Sequence, residues 1–166
     1  MLTINSVLIK PFSANNQEAV ERLVLPIQQK EFGVKITREE QPDLMDIVGT
    51  FQCGNGNFWV AVEGEDVVGT IGVVDIGNQQ VALKKMFVRA SHRGKHRGIA
   101  QALMNTAIDW SRSKGVKEIY LGTTDGMLAA HRFYEKNGFT VRANELLPAN
   151  FPIVSVDTKF YCRNIK

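Results

Sequence analysis

The sequence predicts an α+β fold: one mixed, largely antiparallel sheet with helices on both faces. Three observations carry that expectation. The strand-like runs Phe58–Glu63, Val67–Asp75 and Val81–Val88 follow one another with only tight turn signals between them, which is the pattern of an antiparallel meander. A long helical stripe and a further strand-like run come directly afterwards, so Val81–Val88, the helix and Lys117–Leu121 form a βαβ unit whose two strands are parallel. Finally, 166 residues at 44% apolar and 22% charged suffice for one core, which excludes a disordered chain and leaves little room for a second. The expected organisation is a single domain over residues 1–166.

Each element has its own justification. Thr3 to Pro11 alternates loosely and reads as an edge strand ended by proline. Asn15 to Lys30 reads as a helix, with Ala19, Leu23 and Ile27 at i, i+4 and i+8 and Gly33 just beyond its end. A short second helix starts near Pro42, since proline suits the first helical position, and Asp43 then falls in its first turn. Gly64-Glu65-Asp66 and Gly77-Asn78 supply the turns of the meander. From Gly98 to Lys114 the stripe Ile99, Leu103, Ala107 and Trp110, widened by Ala100, Met104 and Ile108, marks a long amphipathic helix that Gly115 stops. Lys117–Leu121 is then a strand, Met127–Lys136 a helix and Phe139–Val141 a short strand. Ile153–Cys162 closes the pattern with Val154, Val156, Thr158 and Phe160 on one face.

No run of about 18 apolar residues exists to span a membrane, and the first residues lack a basic segment followed by a long apolar one. Cys53 and Cys162 have neither metal-ligand nor disulfide spacing and read as free thiols in a reducing compartment. The expectation is a cytoplasmic protein that holds no metal. Three dispersed histidines agree with that, two of them without a nearby acid.

Lys and Arg number 20 against 17 Asp and Glu, a net +3 too small to argue for a polyanion partner, but the distribution is uneven. From Ile76 to Ile108 there is no acid, whereas Lys84, Lys85, Arg89, Arg93, Lys95 and Arg97 lie there with His92 and His96 between them. Glu39, Glu40, Asp43 and Asp46 crowd an earlier segment. After the strand Val81–Val88, the basic loop around Gly94 and Gly98 runs straight into the long helix. Orphan N–H groups and the dipole of a helix start favour an anion, and glycines let backbone approach it closely. Arg93, Lys95 and Arg97 add fixed positive charge, so the expected ligand is a phosphate or pyrophosphate. Neither G-x-x-x-x-G-K-[ST] nor G-x-G-x-x-G occurs, which removes the main signals of a nucleotide triphosphatase and a Rossmann dehydrogenase. The strand–loop–helix pattern alone leaves a solvated basic loop as a comparable reading, and the acid-free stretch around it favours the anion.

At this point the sequence resembles the GCN5-related N-acetyltransferases. Lys95-His96-Arg97-Gly98-Ile99-Ala100 is similar to that family's Q/R-x-x-G-x-G/A pyrophosphate loop, with Lys in the first place. Arg93-Gly94 looks like its Arg-Gly pair, placed two residues further from the motif glycine. Ala130-His131-Arg132-Phe133-Tyr134-Glu135-Lys136-Asn137-Gly138-Phe139 looks like its A-x-x-x-Y-x-K-x-G-F segment, with Met127 where an asparagine usually precedes it. The resemblance covers roughly residues 58 to 141. Gln41-Pro42-Asp43-Leu44 and Val156-Asp157-Thr158-Lys159-Phe160-Tyr161 also look like a bacterial subgroup of acetyltransferases.

The resemblance implies an acyl-CoA N-acyltransferase-like fold and an acetyltransferase that moves an acetyl group from acetyl-coenzyme A to a primary amine of a small molecule or peptide in a ternary complex. It assigns cofactor binding to Met86, Phe87, Val88, Arg93, Gly94, Lys95, His96, Arg97, Gly98, Ile99 and Ala100, and makes Tyr134 the acid that protonates the leaving thiolate. The spacing alone favours a core residue, beside Ala130 and Phe133 on one helix face, and it is the flanking motif that favours catalysis. His131, one turn before Glu135, reads as half of a solvent-facing pair. The base stays open among Glu39, Glu40, Asp43, Asp75, Asp157 and water, because Val81–Val88 carries no carboxylate. The early acidic cluster suggests an acceptor with a second positive charge, or a solvated helix start. Expected partners are acetyl-coenzyme A and the amine, with no nucleic acid and no membrane, and a homodimer left open. The rival reading is an acyl-coenzyme A sensor without turnover.

Overall fold

A computed structural model describes residues 2–4 and 6–166. Eight strands form one sheet in the order β1-β2-β3-β4-β5-β6-β8-β7. They are β1 (Leu2–Ile4), β2 (Val7–Pro11), β3 (Asn57–Glu63), β4 (Asp66–Gly77), β5 (Gln80–Val88), β6 (Glu118–Thr123), β7 (Thr140–Val141) and β8 (Lys159–Asn164). Every neighbouring pair is antiparallel except β5 and β6, the pair joined by the long crossover helix. The expected mixed, largely antiparallel sheet is therefore present.

Helices cover both faces. α4 (Ile99–Ser113) and α5 (Leu128–Lys136) pack on one side, where Ile99, Leu103, Met104, Ala107, Tyr134 and Phe139 join Val68, Ile71, Val81 and Ile119 in the larger core. α1 (Gln17–Pro26), α2 (Pro42–Met45) and α3 (Ile47–Phe51) close the other side, with Val20, Val24, Leu44, Ile47 and Phe51 against Phe58 and Val60. In α4 the buried stripe follows the sequence period, since a helix presents every third or fourth residue to one face.

Four local expectations are corrected. The first run is two strands, because Ser6 takes φ 67 and turns the chain so that Leu2 pairs with Ile9. The first helix ends at Pro26, whose missing N–H removes an intrahelical bond, and a π turn over Ile27–Glu31 carries the chain on. Asp46 caps a further helix, α3, by accepting from the Gly49 N–H at 3.0 Å; the single-turn α2 before it concealed that start. The last strand starts only at Lys159, because a turn closed from Asp157 N–H to Val154 C=O interrupts the apparent alternation.

Candidate active site

The site begins with a defect in β5. Gly72 faces Lys84 and Thr70 faces Phe87, so β5 carries one residue more than β4 across the same span. Lys85 absorbs it with φ 56, a left-handed conformation that costs a residue bearing Cβ roughly 1–2 kcal/mol. Thr70 holds the bulge in place, its hydroxyl donating to the Lys85 C=O at 2.7 Å. β5 pairs with β6 only over Gln80–Ala82 opposite Glu118–Tyr120. From Leu83 onward the parallel strands separate, while β6 stays paired with β8 as far as Thr123. The wedge left between them is a cavity of about 130 Å³, with Met86, Phe87, Gly122, Thr123, Tyr134 and Asp157 on its walls.

Tyr134 enters the wedge from α5. Its ring stands 5.9 Å from Phe139 and 6.0 Å from Tyr161, and the residue is 8% exposed. The hydroxyl makes no hydrogen bond to another described residue. The reading of Tyr134 as core with a satisfied hydroxyl therefore fails on its second half. Burial first, and then the Asp157 carboxylate, hold its phenol well above the ordinary value, so it stays protonated through the neutral range.

The five open carboxylates separate clearly. Glu40 accepts from the Thr37 N–H at 2.9 Å and its own N–H reaches Thr37 Oγ1, a reciprocal cap. Glu39 is exposed beside Arg38. Asp75 accepts from the N–H groups of Asn55 and Gly77. Asp43 lies between Lys84 Nζ at 2.7 Å and Lys85 Nζ at 3.4 Å. Burial alone would raise its pKa, but the two ammoniums outweigh that and hold it below the carboxylate range. Asp157 alone of the five lies on the wedge that Tyr134 enters. Its carboxylate rests against the backbone of Gly122, where an added Cβ would come within 2.5 Å of Oδ2. Burial pushes the Asp157 carboxyl up, opposed by Lys84 and Lys85.

The basic loop sits at the far end of β5. Gly98 caps α4 with φ 70 and has no side chain to accept from the first turn. Ala102 is the first helical N–H with a helical acceptor, Gly98 C=O at 3.0 Å, which leaves the donors of Ile99, Ala100 and Gln101 directed out of the helix start. Lys95, His96 and Gly94 are exposed around it. Other members brace the loop. Arg93 donates from Nε to Val88 C=O at 2.8 Å and pairs with Glu31, while His92 is buried with its ring 3.0 Å from Glu63. Arg97 also approaches Glu63, at 3.9 Å. Lys136 on α5 lines a cavity of about 610 Å³ together with Lys95, whose hydrogen-bonding approach first, and like charge second, lower the Lys136 pKa. Sequence reading passed over Lys136, because only the fold brings the end of α5 to the loop. His131 is a correction: it is buried, bound to the Thr124 C=O at 2.8 Å, while Glu135 accepts from the Tyr161 hydroxyl.

The orphan N–H groups, the left-handed glycine and the lysines together fit a pyrophosphate, and the open edge of β5 fits an extended amide-bearing arm. No group of His, Cys, Asp or Glu among the described residues could hold a metal ion. No described helix is long and apolar enough to cross a membrane.

Comparison with known proteins agrees with this geometry. The model of the acetyltransferase (GNAT) family matches residues 22–139. A mouse protein named probable N-acetyltransferase family 8 member 5 is 36% identical over 104 residues, which are 60% of this chain and 45% of that relative. The chain thus spans about half the length of such relatives. A Staphylococcus aureus acetyltransferase of the GNAT family is 37% identical, with a TM-score of 0.93 over 96% of this chain and 99% of that one. A Streptococcus agalactiae acetyltransferase is 26% identical, with a TM-score of 0.92 over the same shares.

Proposed function

The chain belongs to the acetyltransferase (GNAT) family, and from that premise we propose that it moves an acetyl group from acetyl-coenzyme A to a primary amine held in the same complex. Acetyl-coenzyme A supplies the acyl group as a thioester. The first-turn N–H groups of α4, with Lys95 and Arg97, hold its pyrophosphate, and Met86, Phe87 and Val88 align the arm along the edge that β5 leaves open. A β5 N–H facing the thioester oxygen favours the charge that develops there.

Asp157 takes a proton from the incoming ammonium, so that the amine nitrogen has a lone pair for the carbonyl carbon. A carboxyl raised by burial is a better base than an exposed one. The N–C bond forms and the C–S bond breaks. Tyr134 gives its proton to the departing sulfur and is reprotonated by the proton that leaves the acylated nitrogen. The balance is ammonium and thioester to amide, thiol and one proton, which Asp157 returns to solvent.

The observation that carries this reading is Tyr134, a buried residue on the wall of the wedge whose hydroxyl has no hydrogen-bond partner among the described residues, opposite the strand that would hold the thioester. A sensor of acyl-coenzyme A has no use for a placed proton donor. Release of free coenzyme A, followed with a thiol reagent across a panel of amines, tests the proposal. Tight acetyl-coenzyme A binding with no amine-dependent thiol would favour the sensor. Two free cysteines, Cys53 exposed and Cys162 buried, support a cytoplasmic setting for the reaction.

A further inference from the structure

Successive residues of a regular strand point to opposite faces. Lys84 and Lys85 do not, because the bulge at Lys85 inserts an extra residue and breaks the alternation. Both ammoniums consequently reach the same carboxylate, Asp43, at 2.7 and 3.4 Å. Their side chains are only 17% and 7% exposed. Two nearly buried lysines against the Asp43 carboxylate leave a local positive surplus, reduced where burial lowers the Lys85 pKa, and Asp157, when ionised, adds the opposite charge on the same wedge.

The surplus lies where an acceptor must pass. Lys84 and Lys85 wall both the wedge and a larger cavity of about 630 Å³ that opens beside it. Lys85 is the more engaged and more deeply buried of the two, since its ammonium also donates to Gln41 Oε1 at 2.6 Å, and Gln41 is fixed by a reciprocal amide pair with Gln28. Lys84 has three N–H donors and one acceptor among the described residues. The acids of the larger cavity are committed elsewhere: Glu40 to the cap on Thr37, Asp46 to the cap of α3 and Asp43 to the lysines. Glu39, the remaining acid of that segment, is exposed beside Arg38 and does not line the cavity.

We propose that the acceptor is an amino acid or a similar amine bearing a carboxylate, and that Lys84, supported by the Asp43–Lys85–Gln41 cluster, binds that carboxylate while Asp157 receives the proton of the amine. This rests on the acetyl-transfer reading above and narrows its substrate class. Alternating charge along the cavity, Asp157 and then the lysines, suits a zwitterion.

The test compares matched acceptors at saturating acetyl-coenzyme A: free amino acids, their amides and the amines lacking the carboxylate. Thiol release should give carboxylate-bearing acceptors at least a tenfold higher kcat/KM. In Lys84→Met that preference should collapse, chiefly through KM, while Lys84→Arg keeps most of it. Thermal shifts with the same acceptors in the presence of coenzyme A should show the same order without needing turnover. The acetyl-coenzyme A shift of Lys84→Met, read alongside, confirms that the variant is folded. Amides or decarboxylated amines that match the amino acids, or a preference that survives in Lys84→Met, would overturn the proposal and leave acetyl transfer standing. Absence of thiol release with every amine, together with normal cofactor binding, would instead refute acetyl transfer. Carboxylate-specific shifts in that case would still support the acceptor site.

Discussion

Tyr134→Phe separates a proton donor from a core residue with little else disturbed. The substitution removes one oxygen and keeps the ring between Phe139 and Tyr161. A hydroxyl that donated to a protein acceptor would cost about 0.5–1.5 kcal/mol on removal. This one has no such acceptor among the described residues, so the change in stability should stay within about 0.5 kcal/mol and can favour the variant. Turnover should fall about a hundredfold, the scale of a lost acid, which corresponds to about 2.7 kcal/mol of barrier. The assay is kcat by thiol release, with melting temperature and acetyl-coenzyme A affinity measured on the same preparation. Because its phenol is held above the ordinary value, the parent should also keep its activity up to about pH 10, where a free tyrosine ionises. If the variant retains more than half its kcat under conditions where chemistry limits turnover, Tyr134 is not the acid. A loss of affinity as large as the loss of rate would make it a binding residue.

Asp157→Asn should abolish the acid limb of the kcat/KM profile, which in the parent falls as pH drops through a carboxyl raised above its usual range. Burial raises that carboxyl, so its contribution to stability is present at low pH and lost as pH rises; the variant should melt at or above the parent temperature at neutral pH, and a clear destabilisation there would contradict the assignment. Asp43→Asn should cost about 3 kcal/mol at neutral pH by leaving two nearly buried ammoniums without their carboxylate, with the penalty shrinking as acid protonates Asp43 in the parent. Gly98→Val places a side chain at φ 70 and within 3.0 Å of Ile4, so it should lower stability by roughly 1–2 kcal/mol. It should also erase the stabilisation of about 2.7 kcal/mol that acetyl-coenzyme A at a hundred times its Kd gives the parent, and an unchanged ligand shift would remove the loop from binding. Thr70→Val should release the bulge and reduce kcat more than it reduces stability, about 1 kcal/mol for the lost hydrogen bond, as denaturant melts and steady-state rates would show.

The sheet, the crossover and the basic loop were legible because each follows from a local period or a glycine at a fixed offset. α4 shows this best: its apolar stripe and Gly115 suffice to place it within a residue at each end. The failures share a different cause. The run from Ile153 to Thr158 alternates like a strand, yet the turn from Asp157 N–H to Val154 C=O folds it along the cavity before Thr158 N–H meets the Thr123 C=O at the end of β6. His131 looked exposed from its spacing to Glu135, but the Thr124 carbonyl and Tyr161 come from other elements. Lys84-Lys85 in an otherwise apolar strand was the one local sign of a polar wall. Reading it as such requires the bulge, and the bulge depends on the partner strand β4.

The separation of β5 from β6 has a consequence for the life of the chain among other chains. Sheet edges recruit foreign strands, and proteins usually blunt them with charge, proline or a covering helix. Here an unpaired edge lies inside the molecule, at a mouth of about 130 Å³ between two strands that remain fixed on their other sides. A foreign strand reaches this edge only by entering the wedge between β5 and β6, so the hydrogen-bonding template lies away from the outer edges of the sheet.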